Sequence, residues 1–82
     1  MSRTRIGIIG CGGIAGVHVE AYQLLRRHGC ECFEITAVCD PIEERTARFA
    51  ADIGAFQGTA PRRFASVAAL LGAGVVDGVD VC

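Results

Sequence analysis

Arg5-Ile6-Gly7-Ile8-Ile9-Gly10-Cys11-Gly12-Gly13-Ile14-Ala15 is the stretch on which the reading of this chain turns. Ile6, Ile8 and Ile9 make a short β-branched run that ends in a glycine cluster, the pattern of a strand over Arg5 to Gly10 buried on both faces. From Gly13 to His28 the apolar residues Ile14, Val17, Ala21, Leu24 and Leu25 recur at intervals of three and four, which predicts a helix. Arg26, Arg27 and His28 suit the negative end of its dipole, and Gly29 stops it. Between strand and helix, Gly10, Gly12 and Ala15 satisfy G-x-G-x-x-A. Gly10 permits a tight turn, Gly12 leaves room for a pyrophosphate, and Ala15 lets the helix pack close to the sheet. The first free N–H groups of the helix, at Gly13 and Ile14, would face the phosphate along the positive end of the dipole.

Working outward, Phe33 to Cys39 is a second apolar run without a turn residue, hence a second strand. Asp40-Pro41-Ile42-Glu43 reads as a helix start, with Asp as N-cap, Pro at the first position and Glu at the third. That helix carries Thr46, Phe49, Ala50 and Ile53 on one face and is expected to end at Gly54. Ala55 to Gly58 is read as a short third strand, and Thr59 to Arg63 as a loop. Ser66 to Leu71 is a short helix turning Val67, Leu70 and Leu71 inward, and Gly78 to Cys82 is a last strand. Alternation of this kind forces parallel strands joined by right-handed crossovers. The fold class is therefore α/β, and with the glycine turn it is read as an incomplete Rossmann unit with strand order 3-2-1-4.

Asp40 stands at the end of the second strand, where a Rossmann unit places an acidic residue for the ribose hydroxyls of adenosine. It also fits as the cap of the second helix, and its two oxygens could serve both partners. A strand before the glycines, a helix after them and an acid at the next strand end are three independent requirements met together, so the sequence points to a bound dinucleotide. The binding residues are then Gly10, Gly12, Gly13, Ile14 and Asp40. His18 lies more than a turn into the first helix with no metal or proton-relay partner near it in sequence, and a surface or packing role is expected. Tyr22 and the phenylalanines fall on apolar stripes and are expected in the core. Arg45 could approach the adenine or a phosphate but is read as a solvated helix residue, and Arg62 and Arg63 are left without a role.

Composition narrows the rest. A formal charge of -1 offers no electrostatic pull toward nucleic acid or an anionic membrane. All eight basic residues are arginine, so no mechanism that uses a lysine ammonium operates within these 82 residues. The five cysteines show neither zinc spacing nor a C-x-x-C redox pair, and Cys39 and Cys82 close apolar runs as buried thiols do. A reducing, cytoplasmic setting is expected. Ile8-Ile9-Gly10-Cys11 loosely matches a lipoprotein box, but the apolar run before it is too short and His18 and Glu20 soon follow. No segment is long enough to span a bilayer.

The motifs resemble the glucose-fructose oxidoreductase, inositol dehydrogenase and rhizopine-catabolism family (Gfo/Idh/MocA) through nearly all the chain. The matching text is Gly7 to Ala15, His18, Ala21-Tyr22, Ala37-Val38-Cys39-Asp40-Pro41, Glu44-Arg45, Phe49-Ala50, Leu70-Leu71 and Val79 to Cys82. Gln57 to Phe64 departs from the family's form. The resemblance implies NAD as cofactor in preference to NADP, held by Gly10, Gly12, Gly13, Ile14 and Asp40. It also implies hydride transfer to or from a sugar, cyclitol or related polyol. On the same resemblance, residues 1–82 are the N-terminal part of the nucleotide domain, cut at its fourth strand. The family's Glu-Lys-Pro motif and a second domain that binds substrate and forms homo-oligomers would then lie outside it, and no catalytic residue or metal ligand is assigned within it. The rivals are a non-catalytic NAD sensor, a Rossmann-like methyltransferase, and a truncated product without a function of its own.

Overall fold

The β-branched run after Arg3 forms β1 (Thr4–Ile9), followed by α1 (Gly13–Arg27), β2 (Phe33–Cys39), α2 (Glu43–Gln57), β3 (Arg62–Phe64), α3 (Val67–Gly72) and β4 (Gly78–Val81). A computed structural model describes residues 3–82. The four strands are parallel, as the alternation of elements requires, and lie in the order β3-β2-β1-β4.

Two layers of side chains cover the sheet unequally. On one face Ile8, Phe33, Ile35 and Val38 pack beneath α1 and α2, which contribute Ala15, Val19, Phe49, Ala50 and Ile53. On the other, Ala37, Cys39 and Leu70 make a smaller cluster under α3, with Phe64, Val75 and Val76 at its margin. Central β2 is buried by both layers, which is why its sequence is nearly all apolar.

A register slip decides which side of β2 each residue serves. Ile6 pairs with Ile35 but Gly7 pairs with Ala37, so Thr36 is an extra residue in the ladder. Its hydroxyl donates to the Val75 carbonyl at 2.6 Å, which ties the irregularity to the segment before β4. Strand parity shifts by one at this point. Phe33 and Ile35 before the slip, and Val38 after it, all face α1 and α2. The same shift puts Asp40, two residues past Val38, on the face where the glycine turn lies.

Three boundaries differ from those read in the sequence. Helix α2 does not stop at Gly54 but runs through Ala55, Phe56 and Gln57, ending where Gly58 takes φ +87°. The third strand is accordingly Arg62–Phe64, within what reads as a loop, and not Ala55 to Gly58. Helix α2 begins at Glu43 with Ile42 as its N-cap, so Asp40 is not the cap. The buried faces differ too. Helix α1 buries Ala15 and Val19, whereas Ile14, Val17, Leu24 and Leu25 are exposed, as are Val67 and Leu71 of α3. Cys39 is buried as expected, but Cys82 is exposed.

Candidate nucleotide-binding site

The end of β1 turns sharply at Gly10, with φ +90°, and a Cβ there would lie 2.9 Å from the carbonyl oxygen of Cys82. The turn delivers the chain into α1 with Gly12 at the N-cap position and no side chain capping the helix. Gly13 and Ile14 are exposed, and no side-chain acceptor caps the N–H groups of the first turn. An uncapped N-terminus at the carboxyl end of a parallel sheet is a ready anion site.

Asp40 closes the site from β2. Its Oδ2 accepts the Cys11 N–H at 3.0 Å and its Oδ1 accepts the Ile42 N–H at 2.8 Å. The first bond staples β2 to the glycine turn, and the second is a local Asx-type turn that leads the chain toward α2. Those two backbone donors hold the Asp40 carboxyl below the usual carboxylate range, against the effect of burial and with help from Arg45. Asp40 is only 6% exposed, yet each oxygen has further acceptor capacity. It is an ionised, oriented acceptor at the rim of the glycine turn.

Arg45 reaches back from the first turn of α2 over this rim. Its Nη1 lies 3.9 Å from Asp40 Oδ2 and would stand 4.0 Å from a Cβ at Gly12. A cleft of about 270 Å³ separates Cys11, Gly12 and Gly13 from Arg45, Arg48 and Phe49. A second, of about 450 Å³, opens on the other side of Asp40 beside Pro41, Thr46, Arg63 and Phe64. Arg63 is held there by its Nε donating to the Thr46 hydroxyl at 3.3 Å. The sequence signal for Arg45 is its place five residues after Asp40, enough to bring a long side chain back over the strand end once the helix starts at Glu43.

His18, which has no partner near it in sequence, has one in the structure. Its Nδ1 lies 2.8 Å from Asp80 Oδ2, and Tyr22 donates its hydroxyl to the same oxygen at 2.8 Å. The partner is 62 residues away in the chain and becomes adjacent only because β4 pairs with β1. Tyr22 therefore sits at the edge of the core and not in it, with its ring centroid 5.4 Å from that of Phe33. Burial and the Asp80 carboxylate together push its hydroxyl up to about 12.

No helix among the described residues is long and apolar enough to cross a membrane. No curated protein matches the chain. Among solved structures it is similar to the WlbA dehydrogenase of Chromobacterium violaceum in complex with NADH and UDP-GlcNAcA, at 26% identity and a TM-score of 0.78 over 99% of this chain. It is likewise similar to the WlbA dehydrogenase of Bordetella pertussis, also in complex with NADH and UDP-GlcNAcA, at 28% identity and a TM-score of 0.76 over 98% of this chain. The chain spans about a fifth of the length of these two proteins, 21% and 22%. Residues 4–82 match the model of an oxidoreductase family with the NAD-binding Rossmann fold, and with this glycine turn, this strand order and that match the chain belongs to the Gfo/Idh/MocA family.

Proposed function

We propose that this chain holds the adenosine and pyrophosphate of NAD for an oxidoreductase that moves hydride between the nicotinamide ring and a carbinol carbon of a sugar, cyclitol or related polyol. The observation that carries the binding half is the Asp40 carboxylate, ionised and stapled to the Cys11 N–H at 3.0 Å beside the uncapped start of α1. Bound NAD supplies the hydride acceptor. Gly12 and the N–H groups of Gly13 and Ile14 receive the pyrophosphate, Gly10 supports the turn, and Asp40 accepts the ribose hydroxyls. The cleft beside Pro41 and Phe64 takes the adenine. Arg45 leaves its position near Asp40 to pair with phosphate when the nucleotide enters, a charge-assisted contact available from where it stands.

The substrate class rests on the resemblance to sugar-active family members, supported by the UDP-sugar held by the two solved relatives. The chain is read as one part of a longer enzyme in which the proton-transferring lysine and the substrate-binding domain come from other residues, since no lysine is present here. That enzyme is expected to be a homo-oligomer.

Cofactor titration tests the reading. A 2′-phosphate would set negative charge against Asp40 and remove a hydrogen-bonded hydroxyl, a loss of about 1.5–3 kcal/mol, so NADH should bind roughly 10- to 100-fold tighter than NADPH. Asp40→Ser should shrink that ratio mainly by weakening NADH. Equal affinities for the two cofactors in the wild type would remove the ribose role from Asp40.

A further inference from the structure

Three donors that nucleotide binding does not use meet where the second turn of α1 passes the end of β4. His18 Nδ1 lies 2.8 Å from Asp80 Oδ2, and Cys82 Sγ lies 3.6 Å from His18 Nδ1 and 3.9 Å from Asp80 Oδ1. One ligand atom from each residue falls within 4.8 Å of the other two. We propose that His18, Asp80 and Cys82 form a binding site for a divalent cation of the zinc class.

The separations fit such an ion with little movement. Zinc bonds of about 2.0–2.3 Å in a tetrahedral arrangement put neighbouring ligand atoms roughly 3.3–3.8 Å apart. Both distances to sulfur stand close to that range already. The two contacts of Asp80 run through different oxygens, Oδ1 to Cys82 and Oδ2 to His18, so the carboxylate has to turn and the His18 contact has to open by about 0.5–1 Å before one oxygen serves the ion. Imidazole nitrogen, carboxylate oxygen and thiolate sulfur together favour zinc over magnesium or calcium, whose sites are built from oxygen. Three protein ligands leave a fourth position for water.

The surroundings are those of a ligand set. Tyr22 donates to Asp80 Oδ2 at 2.8 Å, the kind of outer hydrogen bond that orients a ligating carboxylate. Burial and the nearby Asp80 carboxylate push the Cys82 thiol up. Sulfur ligates as the thiolate, so binding releases a proton and affinity rises with pH. The ion would clamp the end of β4 to α1 immediately beside Gly10.

The test uses the 82-residue chain carrying Cys30→Ser and Cys32→Ser, because those two thiols, 3.4 Å apart, could bind soft metals themselves. Cobalt(II) is titrated as a visible reporter and then displaced with zinc(II) against a chromophoric chelator. The expected result is one equivalent bound more tightly than about 10 μM, with tetrahedral d–d absorption and a sulfur-to-cobalt charge-transfer band. Cys82→Ser should abolish that band and weaken zinc at least about 30-fold, and Tyr22→Phe should weaken it about 10-fold with the band retained. Cys82 is exposed, so its loss does not endanger the fold, and a circular dichroism spectrum confirms this for each variant. A cobalt complex without the charge-transfer band, unchanged zinc affinity in Cys82→Ser, or magnesium binding as well as zinc would each overturn the proposal.

Discussion

Gly10 and Gly12, two residues apart in one motif, answer to different demands. A side chain at Gly10 meets both a positive φ and the backbone of Cys82 at 2.9 Å, and backbone cannot swing away. Gly10→Ala should therefore cost about 2 kcal/mol or more and lower the melting temperature by roughly 8 °C or more. A Cβ at Gly12 would find only the far end of Arg45 at 4.0 Å. Gly12→Ala should melt within about 2 °C of the wild type yet weaken NADH about 10-fold, because the methyl group stands where the pyrophosphate passes. Thermal melts and NADH titrations of both variants check the pair; matched losses of stability would show that the fold, and not the ligand, requires Gly12. Asp40 carries a pH prediction. Its pKa is depressed in the folded chain, so its stabilising effect is complete above the unfolded carboxylate value of about 3.9 and is lost only as pH falls through the lower folded value. Between about pH 8 and about pH 5 NADH affinity should show no step that belongs to Asp40. A step in that window that disappears in Asp40→Asn would contradict the assignment.

The element that sequence patterning places least well is α2, and the two glycines near its end explain the error. Gly54 has the look of a stop signal, but it is an interior helix residue whose missing Cβ accommodates the returning chain, with Ala60 Cα 3.3 Å from where that atom would be. Gly58 is the residue that ends the helix, in the left-handed conformation. A Gly→Ala change inside a helix ordinarily gains about 1 kcal/mol from propensity. Gly54→Ala should forfeit that gain against Ala60 and come out neutral or destabilising, while Gly58→Ala should lose about 1–2 kcal/mol from the left-handed strain alone. Chemical denaturation of the two variants decides it, and a stabilised Gly54→Ala would argue that the helix ends earlier. Displacing the end of α2 by three residues is also what moves the third strand from Ala55–Gly58 to Arg62–Phe64.

Across the whole molecule the sheet is thick on one side and thin on the other, with β3 and β4 as its edges. Ile14, Val17, Leu24 and Leu25 are apolar residues of α1 left exposed, and Val79 and Val81 of edge strand β4 are exposed as well. Uncovered apolar surface next to an open edge promotes association. Sedimentation velocity on the 82-residue chain should show self-association that grows with concentration, and Val17→Glu with Leu24→Glu should reduce it. A monodisperse monomer at high concentration, unaffected by the double change, would contradict this. The same chain should show no NAD-dependent oxidation of a polyol, since it holds no lysine to move the proton. Turnover above a buffer control that disappears in Gly12→Val would overturn that expectation.

Local sequence determined the glycine turn, the strands on either side of α1 and the acid at the end of β2, because each is written in residues a few positions apart. Turn chemistry, β-branching and helix periodicity act over that range; the parallel strand direction follows from the alternation they impose, and the order 3-2-1-4 from the Rossmann unit that the glycine turn signals. What depends on pairing between distant segments was decided only by the tertiary structure. The slip at Thr36 needs β1 alongside β2, and it governs which face receives Val38 and Asp40. Periodicity showed that α1 has an apolar stripe, but the sheet buries Ala15 and Val19, whose small side chains allow close approach, and leaves the larger residues in solvent. His18, Tyr22, Asp80 and Cys82 converge because β4 crosses to the far side of β1, a juxtaposition that a window of sequence around any one of them does not contain.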